Sequence, residues 1–527
     1  MGWVDTPILY AGFATVDMIY HGIDSPRSLL SRTEIVVATS NQVPAPMPQS
    51  TSLDPADWEA LRMQGHRMLD DMIDHLASLQ ERPLWQPAPP EVRAAFKAPL
   101  PDEPTDLAEV HADFLGLVLP YGGGNLHSGF MGWVQGGGTP VGMLADMLAG
   151  GLNANLGGRD HIPIAVEAQI VSWVRDIFGF PETSGGLFLT GASQANFVAV
   201  LMARVRAVGD QVRRTGLGSQ SRLVAYTSAE AHGCIPRAID MAGIGTDQLR
   251  MIPTNHARQI DLEALKAAIT ADRATGLTPF LIVGSAGTVN TGAIDDLAGL
   301  ADIAADEDLH FHVDGALGSL AVLAPDLKPL FAGLERADSL AFDFHKWGQV
   351  PYDAGFILVR DAKLLRQTFG APAAYLARAA TGLAGGDWWP SDDGPDLSRG
   401  FRALKTWFTL RTYGLGALGA SISANCALAQ GLADRIRHEP GLELAAPVAL
   451  NVVCFAYRTR ADDTEGSINA AIVERLHLDG IVAPSMTRIE GKAVIRAAIV
   501  NHRTSIDDIE RLIERVLFFG KALDNQG

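Results

Sequence analysis

Cysteine is scarce in this 527-residue chain: three thiols, Cys234, Cys426 and Cys454, stand far apart with no CxxC pairing. Neither a disulfide framework nor a thiolate metal centre is indicated, and no metal is expected. Such usage fits a reducing cytoplasm. Positive charge is also in short supply. Lys and Arg number 42 against 60 Asp and Glu, a formal net charge of −18. That balance argues against a nucleic-acid backbone or an anionic membrane as the main partner. An anionic small ligand is still allowed, since it needs only local positive groups. Long apolar runs are missing too, because Gly, Asp or Arg interrupts every stretch that approaches spanning length. The opening Met1-Gly2-Trp3-Val4-Asp5 lacks a basic region, and Asp17 and Asp24 break the apolar stretch behind it. It makes a poor signal peptide, so a cytoplasmic location is expected.

What is present is a globular balance, 47% apolar and 19% charged, in a chain long enough for two or three domains. Residues 1–50 read as an irregular extension, closing in the Pro/Ser-rich stretch Asn41 to Leu53. Met47 stands just before the better-organised region, which suggests an over-long assigned start. A helix is expected next, with Asp54 as cap and Pro55 at its first position. Trp58, Leu61, Met68, Met72, Leu76 and Leu79 give it one apolar stripe. Little core follows that helix, so a partner chain is the natural cover.

From about residue 140 strands and helices alternate, which argues for a mostly parallel, helix-covered sheet. Strands are expected at Leu187–Leu189, Leu223–Tyr226, Phe280–Val283, Phe311–Val313, Leu340–Phe342 and Phe356–Val359. Helices are expected at Asn196 to Val208, Leu262 to Thr270 and Leu297 to Ala305. A long helical pattern from Phe401 to Ala429 leads into a final unit. There Val452–Tyr457 and Ala493–Val500 read as strands, and Ser505 caps a closing helix.

Two segments carry the most chemistry: His312-Val313-Asp314-Gly315-Ala316 and Phe344-His345-Lys346-Trp347. Each delivers its charged group to the end of a strand, the rim where open α/β sheets bind ligands. A carboxylate and an amine at that rim suit pyridoxal 5'-phosphate (PLP): the Lys attaches to its aldehyde, and the Asp keeps the pyridine nitrogen protonated. Thr190-Gly191-Ala192-Ser193 opens a helix after a strand, a phosphate cradle by mechanism. His232 follows another strand and suits the face of a flat ring. Gly287-Thr288-Val289-Asn290 offers hydroxyl and amide groups on a further rim loop. Taken singly, each has a bland alternative, such as a buried ion pair, a ligand-free turn or a structural histidine. Their convergence on one cofactor is what raises the joint reading.

With these segments in place, the chain resembles the group II PLP-dependent decarboxylases, the family of aromatic-amino-acid, glutamate and cysteine-sulfinate decarboxylases. The likeness runs from Leu53 to Ala522 and includes HSGFMGWVQGGGTPVGMLADMLA at His127 to Ala149, TGASQAN, GTVNTGAIDDL, HVDGA and ADSLAFDFHKW. It implies the aspartate-aminotransferase-like fold type I, an α/β large domain with a mostly parallel sheet at 140–403. It also implies an N-terminal helical segment at 51–139 that wraps a partner, a small C-terminal α+β domain at 404–527, and a homodimer with shared active sites.

Residue by residue, the resemblance makes Lys346 the amine that carries PLP and Asp314 the partner of its ring nitrogen. His232 would stack on the ring, with Ala316 under the other face. Ala192 and Ser193 would hold the phosphate, with Asp343 near it, and Thr288 would be a further cofactor contact. His345 would touch substrate or phosphate. Tyr375 resembles the tyrosine that protonates the carbanion. Trp133 and Gln135 would lie on the substrate side, and Gly136 to Gly138 would leave room for a bulky side chain. Asp343 stands where many relatives have Asn, and Phe344 where most have Pro; an Asp beside a phosphate is repulsive unless hydrogen-bonded or protonated. Gly233 replaces the usual hydroxyl residue after the stacking His.

The activity expected is α-decarboxylation of an L-amino acid to amine and CO₂, with an aromatic substrate first and an acidic one second. The rivals are an oxidative aldehyde synthase on the same fold, an aminotransferase and a non-catalytic PLP-binding protein.

Overall fold

The computed structural model describes residues 52–218, 222–370, 379–459 and 465–525. The 1–50 extension, Met47 and Tyr375 lie outside the described residues. The chain divides into two units, 1–58 and 59–527, and the sheets and the site described below lie in the second.

Among the described residues the strands, in chain order, are β1 (Phe130–Met131), β2 (Gly185–Leu189), β3 (Leu223–Ser228), β4 (Leu249–Ile252), β5 (Thr278–Ser285), β6 (His310–Asp314), β7 (Ser339–Asp343), β8 (Gly355–Val359), β9 (Leu442–Leu444), β10 (Val452–Tyr457), β11 (Ala483–Ile489) and β12 (Lys492–Ala498). Seven of them form one sheet in the order β2-β8-β7-β6-β5-β3-β4. Every neighbouring pair in it is parallel except β8, which runs antiparallel to both β2 and β7. Strands buried on both faces read as nearly continuous apolar runs, and Leu187–Leu189, Phe280–Val283 and Phe356–Val359 do so. Register brings Ser285, Asp314 and Ala341 level on adjacent strands. The carboxyl ends of β5, β6 and β7 therefore make one rim.

Phe344 has a packing role. Its ring lies 4.9 Å from Phe342, 5.7 Å from Phe188 and 5.9 Å from Phe356. Its N–H also donates to the Ala354 carbonyl at 2.9 Å, a bond that proline at this position would forfeit.

The remaining five strands form a second sheet in the order β1-β11-β12-β10-β9. β1 pairs in parallel with β11, Phe130 opposite Ala483. The HSGF segment thus belongs to the small sheet, and it carries Trp133 to Gln135 towards the rim of the large one. Phe455, Ile472, Leu512 and Val516 centre the second core. The closing helix Ile506–Asp524 starts with a capping box between Ser505 and Asp508.

The first helix spans Trp58–Ala77, three residues later than Pro55 suggests. The Asp54 N–H is taken by the Ser52 hydroxyl at 3.0 Å, so Asp54 sits in a turn and Asp57 precedes the first helical residue. Leu61, Met63, Met68 and Ile73 remain exposed on this helix. No helix among the described residues is long and apolar enough to cross a membrane.

Candidate active site

A cavity of about 390 Å³ opens at the rim, and its wall includes Lys346, Asp314, Ser193, His232, Tyr352 and Trp133. Asp314 ends β6 and Lys346 follows β7. Ser193 lies in the first turn of the helix Ala192–Val208, and His232 in the turn after β3. Trp133 and Gln135 arrive from the segment after β1. Ser485 to Thr487 and Arg496 arrive from β11 and β12.

Lys346 is held from below. Its Nζ lies 2.8 Å from Asp343 Oδ2, and Asp343 Oδ1 accepts the Ala192 N–H at 2.7 Å. Burial alone would lower the Lys346 pKa, but the carboxylates of Asp343 and Asp314 outweigh it and the net shift is upward. Asp343 is therefore bound to an ammonium and a helix N-terminus, which removes the repulsion expected of a lone carboxylate there. His345 packs beside the pair, with Nε2 3.7 Å from Asp343 Oδ1. Its Nδ1 accepts the Ala354 N–H at 3.1 Å, which places the hydrogen of the neutral ring on Nε2. Burial lowers the His345 pKa. Tyr352 covers the imidazole at a ring separation of 4.3 Å, and burial pushes its phenol up to about 12.

Asp314 is 7% exposed and has no ion-pair partner among the described residues. Its Oδ1 accepts the Ala316 N–H at 3.1 Å, and its Oδ2 accepts the Cys234 thiol at 3.7 Å. His232 is exposed. Its Nδ1 accepts the Cys234 N–H at 3.2 Å, fixing the ring's orientation in the wall.

Eight of the residues expected at the site share the cavity wall: Trp133, Gln135, Ala192, Ser193, His232, Asp314, Ala316 and Lys346. Asp343 and His345 are buried behind Lys346 and stand outside that wall. Thr288 is outside it as well. Its hydroxyl is engaged by the Ala293 N–H and Thr291 Oγ1, both at 3.1 Å, so its neighbours Gly287 and Val289 face the cavity instead. Gly136 and Gly137 serve close packing, whereas a Cβ on Gly138 would meet nothing nearer than 3.8 Å. A Cβ on Gly136 would meet the Lys346 and His345 carbonyl oxygens at 2.4 and 2.5 Å, and one on Gly137 would meet Asn501 Oδ1 at 2.5 Å.

Sequence reasoning missed Tyr352, Cys234 and Arg496, while Asn290 of the expected rim loop does line the cavity. Cys234 carried a signal, two residues after His232 on the same rim turn. Arg496 carried none: its Nε donates to the Val289 and Asn290 carbonyls at 2.9 and 3.2 Å. Its Nη1 donates to the Trp133 carbonyl at 3.0 Å and Ser485 Oγ at 3.1 Å. It ties together three segments remote in sequence. Nη2 has no hydrogen-bond partner, and burial lowers the guanidinium pKa. Trp133 is 57% exposed and lines the cavity, with the Phe130 and His477 rings 6.0 and 6.2 Å from its own.

The model of the pyridoxal-dependent decarboxylase conserved domain matches residues 89–458. An aromatic-L-amino-acid decarboxylase from Bacillus atrophaeus is 30% identical over 469 residues, covering 87% of this chain and 95% of that protein. A phenylacetaldehyde synthase from Arabidopsis thaliana is 28% identical over 467 residues, covering 85% and 93%. Among solved structures, Oryza sativa TDC with PLP and tryptamine superposes with a TM-score of 0.83 at 24% identity, covering 90% of this chain and all of that one. Mouse CSAD superposes with a TM-score of 0.82 at 22% identity, covering 88% and 99%. The fold is the fold type I of PLP decarboxylases. With the family model spanning most of its length, the chain belongs to the pyridoxal-dependent decarboxylases and is a PLP-dependent carboxy-lyase acting on an amino acid.

Proposed function

We propose that the substrate is an aromatic L-amino acid, decarboxylated at Cα to the amine and CO₂. The observation that carries this reading is the exposed Trp133 indole in the same cavity wall as Lys346 and Asp314. Indole offers a broad apolar face to an aromatic side chain at little entropic cost.

The residues present fit PLP. A buried carboxylate without a cation is costly, and a protonated ring nitrogen would supply the cation that Asp314 lacks. Ala192 and Ser193 open a 17-residue helix; Asp343 takes the Ala192 N–H, so Ser193 is the residue of that first turn that would meet a phosphate. Lys346 would be the amine that carries the aldehyde carbon, and His232 and Ala316, which share its cavity wall, would hold the ring. When bound, PLP supplies the electron sink for the pair left on Cα as CO₂ departs. The chain's own groups do the rest. Asp343 holds the Lys346 ammonium in place, His345 fills the space beside it, and Tyr375 delivers the proton to Cα.

Release of CO₂ across the twenty amino acids, DOPA and cysteine sulfinate tests the reading. The highest kcat/KM is expected for an aromatic substrate, and a clear preference for any other class would sink it. The second reading is an acidic substrate, favoured by one observation: the cationic Arg496 side chain stands with Lys346 among the residues lining the cavity. Peroxide and ammonia measured in the same assay separate simple decarboxylation from aldehyde synthesis. Tyr375→Phe is expected to raise both at the expense of amine. A cytoplasmic homodimer belongs to the same proposal. Its support is the exposed Met147, Leu148 and Leu152 on the helix Pro140–Leu152, together with the uncovered side chains of the first helix. Light scattering is expected to give twice the 56.1 kDa chain mass; a monomer would contradict it.

A further inference from the structure

Behind the cavity wall, a line of buried polar side chains runs from Asp314 into the interior. Cys234 Sγ lies 3.7 Å from Asp314 Oδ2, and Asn196 Nδ2 lies 3.2 Å from Cys234 Sγ. Asn196 Oδ1 is 2.7 Å from His312 Nε2, and His312 Nδ1 is 2.8 Å from Ser339 Oγ. Ser339 Oγ is in turn 2.9 Å from His310 Nε2. Asn196, His312, Ser339 and His310 are almost wholly enclosed. Register places them together: His312 of β6 stands opposite Ser339 at the start of β7.

With the Asn196 N–H turned to Cys234 as found, one alternation of donors and acceptors satisfies every link of this line; His312 Nδ1 also lies 3.1 Å from the Ser339 carbonyl. An ionised carboxylate can only accept, so the Cys234 thiol must donate to Asp314. The sulfur then accepts, which requires the amide N–H of Asn196 to face it and turns the Asn196 oxygen towards His312. His312 Nε2 must therefore carry hydrogen. Burial keeps that ring neutral, with its pKa pushed down to about 3, so Nδ1 offers a lone pair to the Ser339 hydroxyl. Ser339 Oγ then accepts from His310 Nε2. Every donor points towards Asp314. Aligned hydrogen bonds polarise one another, and the series ends on the carboxylate.

We infer that Cys234 is a positioning residue for Asp314: its thiol fixes Oδ2 in the orientation that faces the ring nitrogen of PLP, and Asn196, His312, Ser339 and His310 hold the thiol in that orientation. The inference rests on the reading of Asp314 as the ring-nitrogen partner. It concerns binding and involves no covalent step.

Apoprotein titrated with PLP, and with the carbocyclic analogue that has carbon in place of the ring nitrogen, tests it through dissociation constants read from tryptophan fluorescence. Wild type is expected to prefer PLP. Cys234→Ala is expected to lose about tenfold in PLP affinity, the scale of one hydrogen bond to a charged group, and to bind the analogue as wild type does. Cys234→Ser, which keeps a donor, is expected to return PLP affinity to within about twofold of wild type. Unchanged PLP binding by Cys234→Ala overturns the inference, as do equal losses for both ligands or failure of Cys234→Ser to rescue. A wild type that does not distinguish the two ligands overturns the assignment of Asp314 itself, and the role of Cys234 with it.

Discussion

Asp343 bridges Lys346 and the helix Ala192–Val208: one carboxylate oxygen lies 2.8 Å from the Lys346 ammonium, and the other accepts the Ala192 N–H at 2.7 Å. A carboxylate beside an expected phosphate position is thereby neutralised by groups the chain itself supplies. The same contact sets the proton affinity of the amine that must attack an aldehyde.

An amine attacks only once it is deprotonated. Burial pulls the Lys346 pKa down, while Asp343 and Asp314 push it up and prevail. Asp343→Asn leaves burial less opposed, so the pKa falls and the free amine is reached at lower pH. The pH–rate profile for PLP attachment to apoprotein, followed by stopped-flow absorbance, is expected to move to lower pH. A profile that stays in place would show that Asp343 does not control this proton.

Lys346→Ala removes the amine altogether. Turnover is expected to fall to background, and the visible absorbance of the PLP-bound protein to disappear. Borohydride reduction of wild type followed by peptide mapping should place the label on Lys346. A label on any other lysine would refute the assignment.

The parts of the site that were legible in the sequence are those set by local pattern. All eight expected strands are present, because buried strands announce themselves as short apolar runs. Strand ends then fix where Asp314, Lys346, Ser193 and His232 must come. Contacts between distant segments left no such trace. β4, Leu249–Ile252 at the sheet edge, is interrupted by Arg250 and has only its two end residues buried, so no apolar run marks it. Arg496 reaches carbonyls more than two hundred residues away, a relation that no periodicity encodes. Thr288 lies in the right loop, but Gly287 at φ 98° turns the chain, and the hydroxyl closes on Thr291 and Ala293. Residue type suggested a cofactor contact that loop geometry withheld.

His310 and His312 make stability depend on pH in a stated direction. Burial lowers their folded-state pKa values to about 4 and about 3, against about 6.5 in an unfolded chain. Between those limits the unfolded state binds more protons, so stability is full above about pH 6.5 and is lost as pH falls. At pH 5 each histidine is expected to cost about 2 kcal/mol. Asp295, raised to about 6 by burial, acts in the opposite sense, so the informative quantity is the difference between wild type and His312→Gln. Urea midpoints at pH 7 and pH 5 are expected to fall further for wild type than for the variant. Equal falls would mean that His312 does not carry the effect.

Gly136 tests how tightly the segment after β1 is keyed to the lysine loop. A Cβ there would lie 2.4 Å from the Lys346 carbonyl oxygen and 2.5 Å from that of His345. Both are backbone atoms, which cannot swing aside as a side-chain tip can, and the Gly136 carbonyl is itself held by Asn125 Nδ2 at 2.9 Å. Gly136→Ala must therefore displace either its own segment or the turn that presents Lys346. Overpacking of this kind costs about 3 kcal/mol, and PLP affinity is expected to fall with stability because the same turn carries the amine. Gly431 lies in the helical stretch Arg402–His438, beyond its break at Gly414, and a Cβ added there would meet nothing within 4 Å. Gly431→Ala is expected to gain roughly 0.5–1 kcal/mol from helix propensity alone. Thermal or urea unfolding of both variants, with PLP titration of each, separates the two cases. If Gly136→Ala binds PLP as wild type does and unfolds at the same midpoint, the segment from Trp133 to Gly138 does not brace Lys346.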